Sequence, residues 1–181
     1  MSDAQIAVLV AAAILVFWMV GAYNRLVAMR TAIGSAWQLV GEVLAKRGDA
    51  VLALVAALRE PLAGEQGALD ALLAAEKQVR NAAVALGARP VMAPLAGALI
   101  AGEAAMASAA SRVLALLEQH AELRTDAAVA PQVAVLNDSV SRLAFARQLF
   151  NDAAQAYNDA AHQFPTRLLV QMFGFGPAGR I

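Results

Sequence analysis

The longest apolar run of the chain lies near its N-terminus. No charged residue falls between Asp3 and Arg25, and almost all side chains in between are aliphatic or aromatic. Because a helix rises about 1.5 Å per residue, a helix of this length covers the roughly 30 Å hydrocarbon core of a bilayer. Trp18 and Tyr23 lie toward its C-terminal end, where amphipathic rings favour the headgroup region. The pattern predicts a helical transmembrane anchor over residues 1–24.

Three other interpretations of this run compete with an anchor. A cleaved signal peptide has a basic leader and a small-residue cleavage site, whereas this leader is Met1-Ser2-Asp3 and the run leads directly into Tyr23. A buried core helix seldom needs about 20 uncharged residues in a row. An amphipathic surface helix has a polar face, which the run lacks. We therefore expect an uncleaved, single-pass anchor.

The basic residues predict the orientation of the anchor. No Lys or Arg precedes the run, whereas four follow it closely: Arg25, Arg30, Lys46 and Arg47. The positive-inside tendency then places the N-terminus outside and the following domain in the cytoplasm of the cell.

After the anchor, apolar residues recur in steps of three and four along four successive stretches. This spacing predicts helices that pack at about 3.5 residues per turn. Proline and glycine interrupt the pattern at Pro61, at Gly87 to Pro94 and at Pro131, and Pro165 ends the fourth stretch. The predicted inward positions of the first stretch are Leu26, Ile33, Trp37, Val40, Leu44, Val51, Val55 and Leu58. Those of the fourth are Val129, Val133, Leu136, Val140, Leu143, Arg147, Phe150, Ala154, Tyr157, Ala161 and Phe164.

Four helices with short connections predict antiparallel neighbours. We expect an all-α protein in which the transmembrane helix continues into a long antiparallel four-helix bundle over residues 25–165. The alternating helix directions return the apolar tail, residues 166–181, to the membrane end. One hypothesis is that this tail docks on the membrane surface or against the base of the first helix. The alternative is a tail folded onto the side of the bundle without lipid contact.

Composition excludes several classes of function. The chain carries 14 basic and 14 acidic residues and no basic cluster, which argues against nucleic-acid binding. It has no cysteine, so thiol chemistry is excluded. A di-metal bundle site needs Glu-x-x-His pairs, and the nearest approach is Asp159-x-x-His162. We therefore expect no enzymatic activity, no metal and no cofactor.

One polar residue interrupts the fourth apolar stretch. Arg147 occupies an inward position, and a buried guanidinium needs an acidic or amide partner, here expected from another helix. Asn151 and Asn158 on the same stretch, and Asn24 and Arg30 near the membrane exit, are the other informative polar residues. These residues either fix the register of the helices, which we favour, or bind a partner.

Several motifs resemble those of the LemA family. Tyr23-Asn24-Arg25-Leu26-Val27 is similar to the family's YNxLV, and Ala36-Trp37 and Leu44 to Asp49 resemble its A-W and L-K-R-R-x-D. Phe145 to Asp152, Tyr157-Asn158 and Phe164-Pro165 resemble FARxxYNxxxxxYN…FP, and Phe173-Gly174-Phe175 resembles the closing FGF. The chain departs from the family at Phe150, which replaces a tyrosine, and at 50–55, which lacks a proline and an asparagine.

The resemblance implies a bacterial membrane-anchored helical bundle without established enzymatic activity. It implies a scaffold or adaptor that binds other membrane or envelope proteins, besides the lipid bilayer. Copies could also associate through Ala7 and Ala11 of the anchor. Two alternatives are membrane remodelling through anchor and tail, and a non-catalytic or metal-binding subunit of a membrane protease or enzyme complex. The candidate structural or partner-binding residues are Tyr23, Asn24, Arg30, Trp37, Arg47, Asp49, Arg147, Asn151, Tyr157, Asn158, Phe164 and Pro165.

Overall fold

The computed structural model describes residues 2–181 and is all-α, with no β-strand in that range, which confirms the predicted fold class. The four long helices are α1 (Asp3–Leu58), α2 (Gln66–Ala88), α3 (Ala93–Gln119) and α5 (Ala130–His162). Shorter elements connect or extend them: a 3₁₀ turn (Ala63–Glu65), α4 (Ala121–Arg124) and α6 (Thr166–Phe173).

Helix α1 runs without a break from the apolar run into the bundle. At its start the Ser2 hydroxyl accepts a hydrogen bond from the backbone N–H of Gln5 (3.4 Å), and the Gln5 side chain accepts one from the backbone of Ser2 (3.0 Å). Helix α1 contains no proline, so no residue in it lacks the backbone N–H that continues the helical hydrogen bonds. All the inward positions predicted for this stretch are buried, from Leu26 to Leu58. The apolar run before Leu26 is exposed throughout most of its length.

Three pairs of long helices pack closely: α1 with α5, α1 with α2, and α2 with α3. Each pair is antiparallel, as predicted. For example, Trp37 of α1 contacts Phe150 of α5, whereas the later Arg47 and the earlier Arg147 both pair with the same carboxylate of α3. The fourth side of the bundle, between α3 and α5, remains open as a groove. The bundle is therefore closed on three sides only.

The open side explains one wrong prediction on α5. Val140 was expected to point inward, but its side chain is 71% exposed, and its neighbour Ser139 is buried instead. A strict 3.5-residue spacing assumes partners on both sides of the inward stripe. Because α3 stands away from α5 here, Val140 lines the groove. The last predicted inward residue, Phe164, is also exposed, because α5 ends at His162.

The tail begins as a helix rather than as an irregular segment. Helix α6 packs on α5 and on α1, so the tail returns to the base of the first helix, as the alternating directions predicted. Gly174 ends α6 with a left-handed backbone (φ +66°), a conformation that glycine adopts without strain. Residues 175–181 then run back along α5, away from the apolar run; we call this segment the strap.

Candidate functional site

Two asparagines of α5 hold the strap by its main chain. The Asn158 side chain donates to the carbonyl oxygen of Ala178 (3.0 Å) and accepts from its backbone N–H (2.8 Å). Asn151 forms the same pair of hydrogen bonds with Ile181, at 2.7 and 2.8 Å. The hydroxyl of Tyr157 donates to the carbonyl oxygen of Gly176 (2.9 Å). These three side chains, which we call the amide face of α5, therefore bind the polypeptide backbone of the strap.

The other edge of the strap lies against the start of α3. Ala178 forms an isolated antiparallel bridge with Met92, and the N–H of Gly179 donates to the carbonyl oxygen of Val91 (3.3 Å). Gly179 is pressed so closely on α3 that an added Cβ would lie 2.6 Å from the Cα of Ala93. The strap is thus bound from both sides, and only glycine fits at this position.

A second polar site joins three helices. Glu103 of α3 accepts hydrogen bonds from both Arg47 of α1 and Arg147 of α5, the latter at 3.0 Å. The Glu103 side chain is only 9% exposed, whereas those of Arg47 and Arg147 are 12% and 32% exposed. Charge-assisted bonds of this kind are stronger than neutral ones. This arginine–glutamate triad confirms that Arg147 takes an acidic partner from another helix.

The triad lies at one end of the groove between α3 and α5. The groove has a volume of about 800 Å³, and its walls are mostly apolar. Ile100 and Val140 are its most exposed large apolar residues, at 48% and 71%. Ile181 of the strap also lines it. We call this feature the α3–α5 groove; its walls are formed by Ile100, Ala104, Ala107 and Leu114 of α3 and by Leu136, Val140 and Leu143 of α5.

An aromatic cluster joins α6 and the strap to the base of the bundle. The ring of Tyr23 meets those of Phe173 and Phe175 edge to face, with centroids 5.3 and 5.7 Å apart. The Arg30 guanidinium lies 4.7 Å from the centroid of Phe175 and 5.8 Å from that of Tyr157. Both arrangements are favourable for rings and cations. The cluster fixes α6 at the level where the apolar run of α1 ends.

The remaining predicted residues do not join these sites. Trp37 is buried against Phe150, with centroids 6.0 Å apart. Asn24 is exposed, as is Phe164 at 73%, and Pro165 precedes α6.

Asp49 belongs to a separate ionic site at the surface. Its carboxylate is 78% exposed and lies 3.8 Å from Arg80. Arg80 also bonds the buried Glu76 at 2.9 Å, and Glu76 in turn passes close to Gly48, where a Cβ would lie 2.5 Å from the carboxylate. Gly48 makes room for this acid, because any larger residue would carry a Cβ there.

Sequence reasoning missed the central residue of the triad. Glu103 directly follows the buried Gly102 on α3, and the sequence analysis did not single it out. A signal was available, because Glu103 is the only charged residue between Arg89 and Arg112. An isolated charge in such an apolar helix needs a partner, and Arg147 was the residue that needed an acid.

The acidic side chains of the two buried ionic sites are paired with arginines. Across residues 2–181, no group of three or more His, Asp or Glu side chains is placed to hold a metal ion. The oxygens of Glu103 are occupied by two guanidinium groups. The triad holds α1, α3 and α5 together, and the amide face holds the strap on α5.

The fold and these surfaces define a class: a helical bundle on a long N-terminal helix whose apolar end is exposed. By length and composition α1 and α3 could each cross a bilayer, with mean hydropathies of 2.5 and 1.4 in their most apolar windows. No residue of the α1 window is buried, whereas α3 packs on α2 and holds the paired Glu103.

Comparison with protein families identifies the chain further. The model of the LemA family matches residues 36–180, so the chain belongs to the LemA family. The match begins inside α1, after the apolar run, and extends through the strap. The Tyr23 to Val27 motif lies outside the matched range. No curated protein matches the chain in sequence.

Proposed function

We propose that this protein is a membrane-anchored helical scaffold that binds other membrane or envelope proteins and has no catalytic activity of its own. The proposal rests on one observation: the same helical protein carries two separate exposed apolar surfaces. One is the apolar run of α1, and the other is the α3–α5 groove.

The exposed side chains of α1 support the anchor. Phe17, Val8 and Ile14 are 78%, 67% and 64% exposed, and no other helix covers them. Leaving apolar surface in water costs about 25 cal/mol per Å², a cost that a bilayer removes. The basic residues that follow the run support a cytoplasmic bundle, because positively charged residues near a membrane helix tend to stay on that side.

The α3–α5 groove supports the binding role. It is a long apolar depression with a polar landmark, the arginine–glutamate triad, at one end. A helix that presents apolar residues at three- and four-residue steps fits a depression of this kind. The groove stays open because none of the helices in residues 2–181 covers the fourth side. The helix connections at 61–67 and 122–130, at the end away from the apolar run, are further contact surfaces.

Site-specific photo-crosslinking in membranes tests the binding role. A photoreactive residue replaces Val140 in the groove or Val84 on α2; both valines are 71% exposed, which makes Val84 a matched control. We expect discrete adducts from position 140 and few from position 84. Equal adduct patterns from both positions would contradict a role for the groove.

One observation favours a second candidate function, membrane remodelling through the anchor and the tail. Phe164, Leu168 and Met172 expose apolar surface (73%, 49% and 68%), and α6 is fixed beside the end of the apolar run. A short apolar helix face at that level can insert into the headgroup region. Purified protein that deforms liposomes, with loss of the effect in Phe164→Ser/Met172→Ser, would favour remodelling. A fluorophore at position 173 whose spectrum is the same with and without lipid would exclude lipid contact of α6.

A further inference from the structure

We infer that the amide face of α5 is a recognition site for an extended peptide segment, which this chain fills with its own strap and which the strap of a second copy can fill in trans. The inference does not depend on the proposed scaffold function or on the membrane. It rests on the geometry of the hydrogen bonds, on the spacing of the amides and on the fit of Gly179.

The hydrogen bonds recognise backbone and not side chains. Asn151 and Asn158 each bond both the N–H and the C=O of one residue, the pattern by which a β-strand pairs with its neighbour. Two side-chain amides that each bond the N–H and the C=O of one residue can hold an extended chain much as the edge of a β-sheet does.

The spacing of the two amides matches an extended peptide. Asn151 and Asn158 lie seven residues apart, which is about 10.5 Å along a helix. Ala178 and Ile181 lie three residues apart, which is about 10 Å along an extended chain. The two distances agree, so one helix face contacts two backbone units of the strap, which runs antiparallel to α5.

Specificity comes from two residues of the strap. Phe175 inserts between Tyr23 and the Arg30 guanidinium, and Gly179 occupies a place that excludes any Cβ. The preferred ligand is therefore an extended segment with an aromatic residue four positions before a glycine. The strap of a second copy meets this description because it has the same sequence.

The attachment of the strap in cis hides the site from free peptide. A tethered segment has an effective concentration on the order of millimolar, so a free peptide competes poorly with it. The strap must be released first. Gly179→Ala in the full chain does this through the contact with Ala93, whereas Gly176→Ala is the matched control, because nothing lies within 4 Å of a Cβ added there.

The first experiment measures release and binding in the full chain. The chain lacks cysteine, so Arg180→Cys carries a single fluorophore on an exposed position. We expect the label to become more mobile in Gly179→Ala and to stay immobile in Gly176→Ala. A labelled synthetic peptide of sequence GFGPAGRI should then bind the unlabelled Gly179→Ala chain saturably. A strap that stays immobile, or a released chain that does not bind the peptide, overturns the inference.

The amides provide the second test. Adding Asn151→Ala/Asn158→Ala to the Gly179→Ala chain removes four hydrogen bonds, and we expect peptide binding to weaken by about 30-fold or more. Asn158→Asp keeps the shape and removes one donor, which covers the case in which the double variant unfolds. Gln155→Ala is the control, because its side chain bonds only Asp159 on the exposed side of α5. Unchanged binding in the asparagine variants overturns the role of the amide face.

Exchange between copies is tested by complementation. One chain carries Asn151→Ala/Asn158→Ala, so it has an intact strap and no site; the other carries Gly179→Ala, so it has a site and no competent strap. We expect differently tagged copies of these two to associate in detergent. Two tagged Gly179→Ala chains have no competent strap and control for association through α1. Equal association in both mixtures contradicts exchange in trans.

Discussion

The triad and the strap are two polar attachments of different physical kind on the same helix, α5. In the triad, the buried carboxylate of α3 pairs with one arginine of α1 and one of α5, so both arginines depend on it for their partner. At the strap, neutral amides bind backbone groups that any extended segment would present. The difference indicates that the triad fixes which helices meet, whereas the amide face fixes how a segment lies and leaves its identity to Phe175 and Gly179.

The largest effect should come from removing the acid of the triad. Glu103→Ala leaves two guanidinium groups without their partner in a low-polarity site, and we expect unfolding free energy to fall by about 2–3 kcal/mol. Urea denaturation of the full chain in detergent, followed by circular dichroism, measures this. Glu118→Ala is the control, because its pair with Arg124 is more than half exposed; it should cost under about 1 kcal/mol. Similar losses for both would remove the distinction between buried triad and surface pair.

Removing one amide should have a smaller and more local effect. Asn158→Ala leaves the N–H and C=O of Ala178 without these partners, and we expect a loss of about 1–2 kcal/mol. Hydrogen exchange should show faster exchange in the strap and unchanged protection in the middle of α1 and α5. Loss of protection along the whole of α5 would mean that the strap is part of the core and not an attachment.

A double-mutant cycle between the two sites sharpens the comparison. Arg147 and Asn151 lie one turn apart on α5 but share no partner: one bonds Glu103 and the other Ile181. We expect the effects of Arg147→Ala and Asn151→Ala on stability to add within about 0.5 kcal/mol. A larger coupling energy, measured by the same denaturation, would show that the triad and the strap act as one unit through Ile181 in the groove.

The smallest effect is expected at the surface ionic site. Asp49 is 78% exposed and lies 3.8 Å from Arg80, so its charge is well screened by water. Asp49→Asn should change stability by less than about 0.5 kcal/mol. The same measurement on Glu76→Gln should give a larger loss, because Glu76 is buried and directly bonded to Arg80.

The parts of this structure that the sequence predicts are those that leave a periodic trace. The inward stripe of α1 is one, because Leu26 to Leu58 repeat at helical spacing, and the need of Arg147 for an acid is another. Val140 was placed wrongly, because periodicity alone does not reveal that α3 stands away from α5. The tail was predicted to dock at the base of the first helix or to fold onto the side of the bundle, but its hydrogen bonds to Asn151 and Asn158 were not predicted. Those bonds use the backbone of residues 178 and 181, and a backbone leaves no pattern of side chains to detect.

The continuity of α1 has a mechanical consequence. Because one helix continues from the apolar run into the bundle, no loop separates the two parts that would let them change orientation independently. The stretch from Arg25 to Leu58 is about 50 Å long, so a 10° change in the tilt of its apolar end moves the far end by about 9 Å. A change in the thickness or curvature of the surrounding lipid would therefore shift the helix connections at 61–67 and 122–130 relative to a neighbouring molecule.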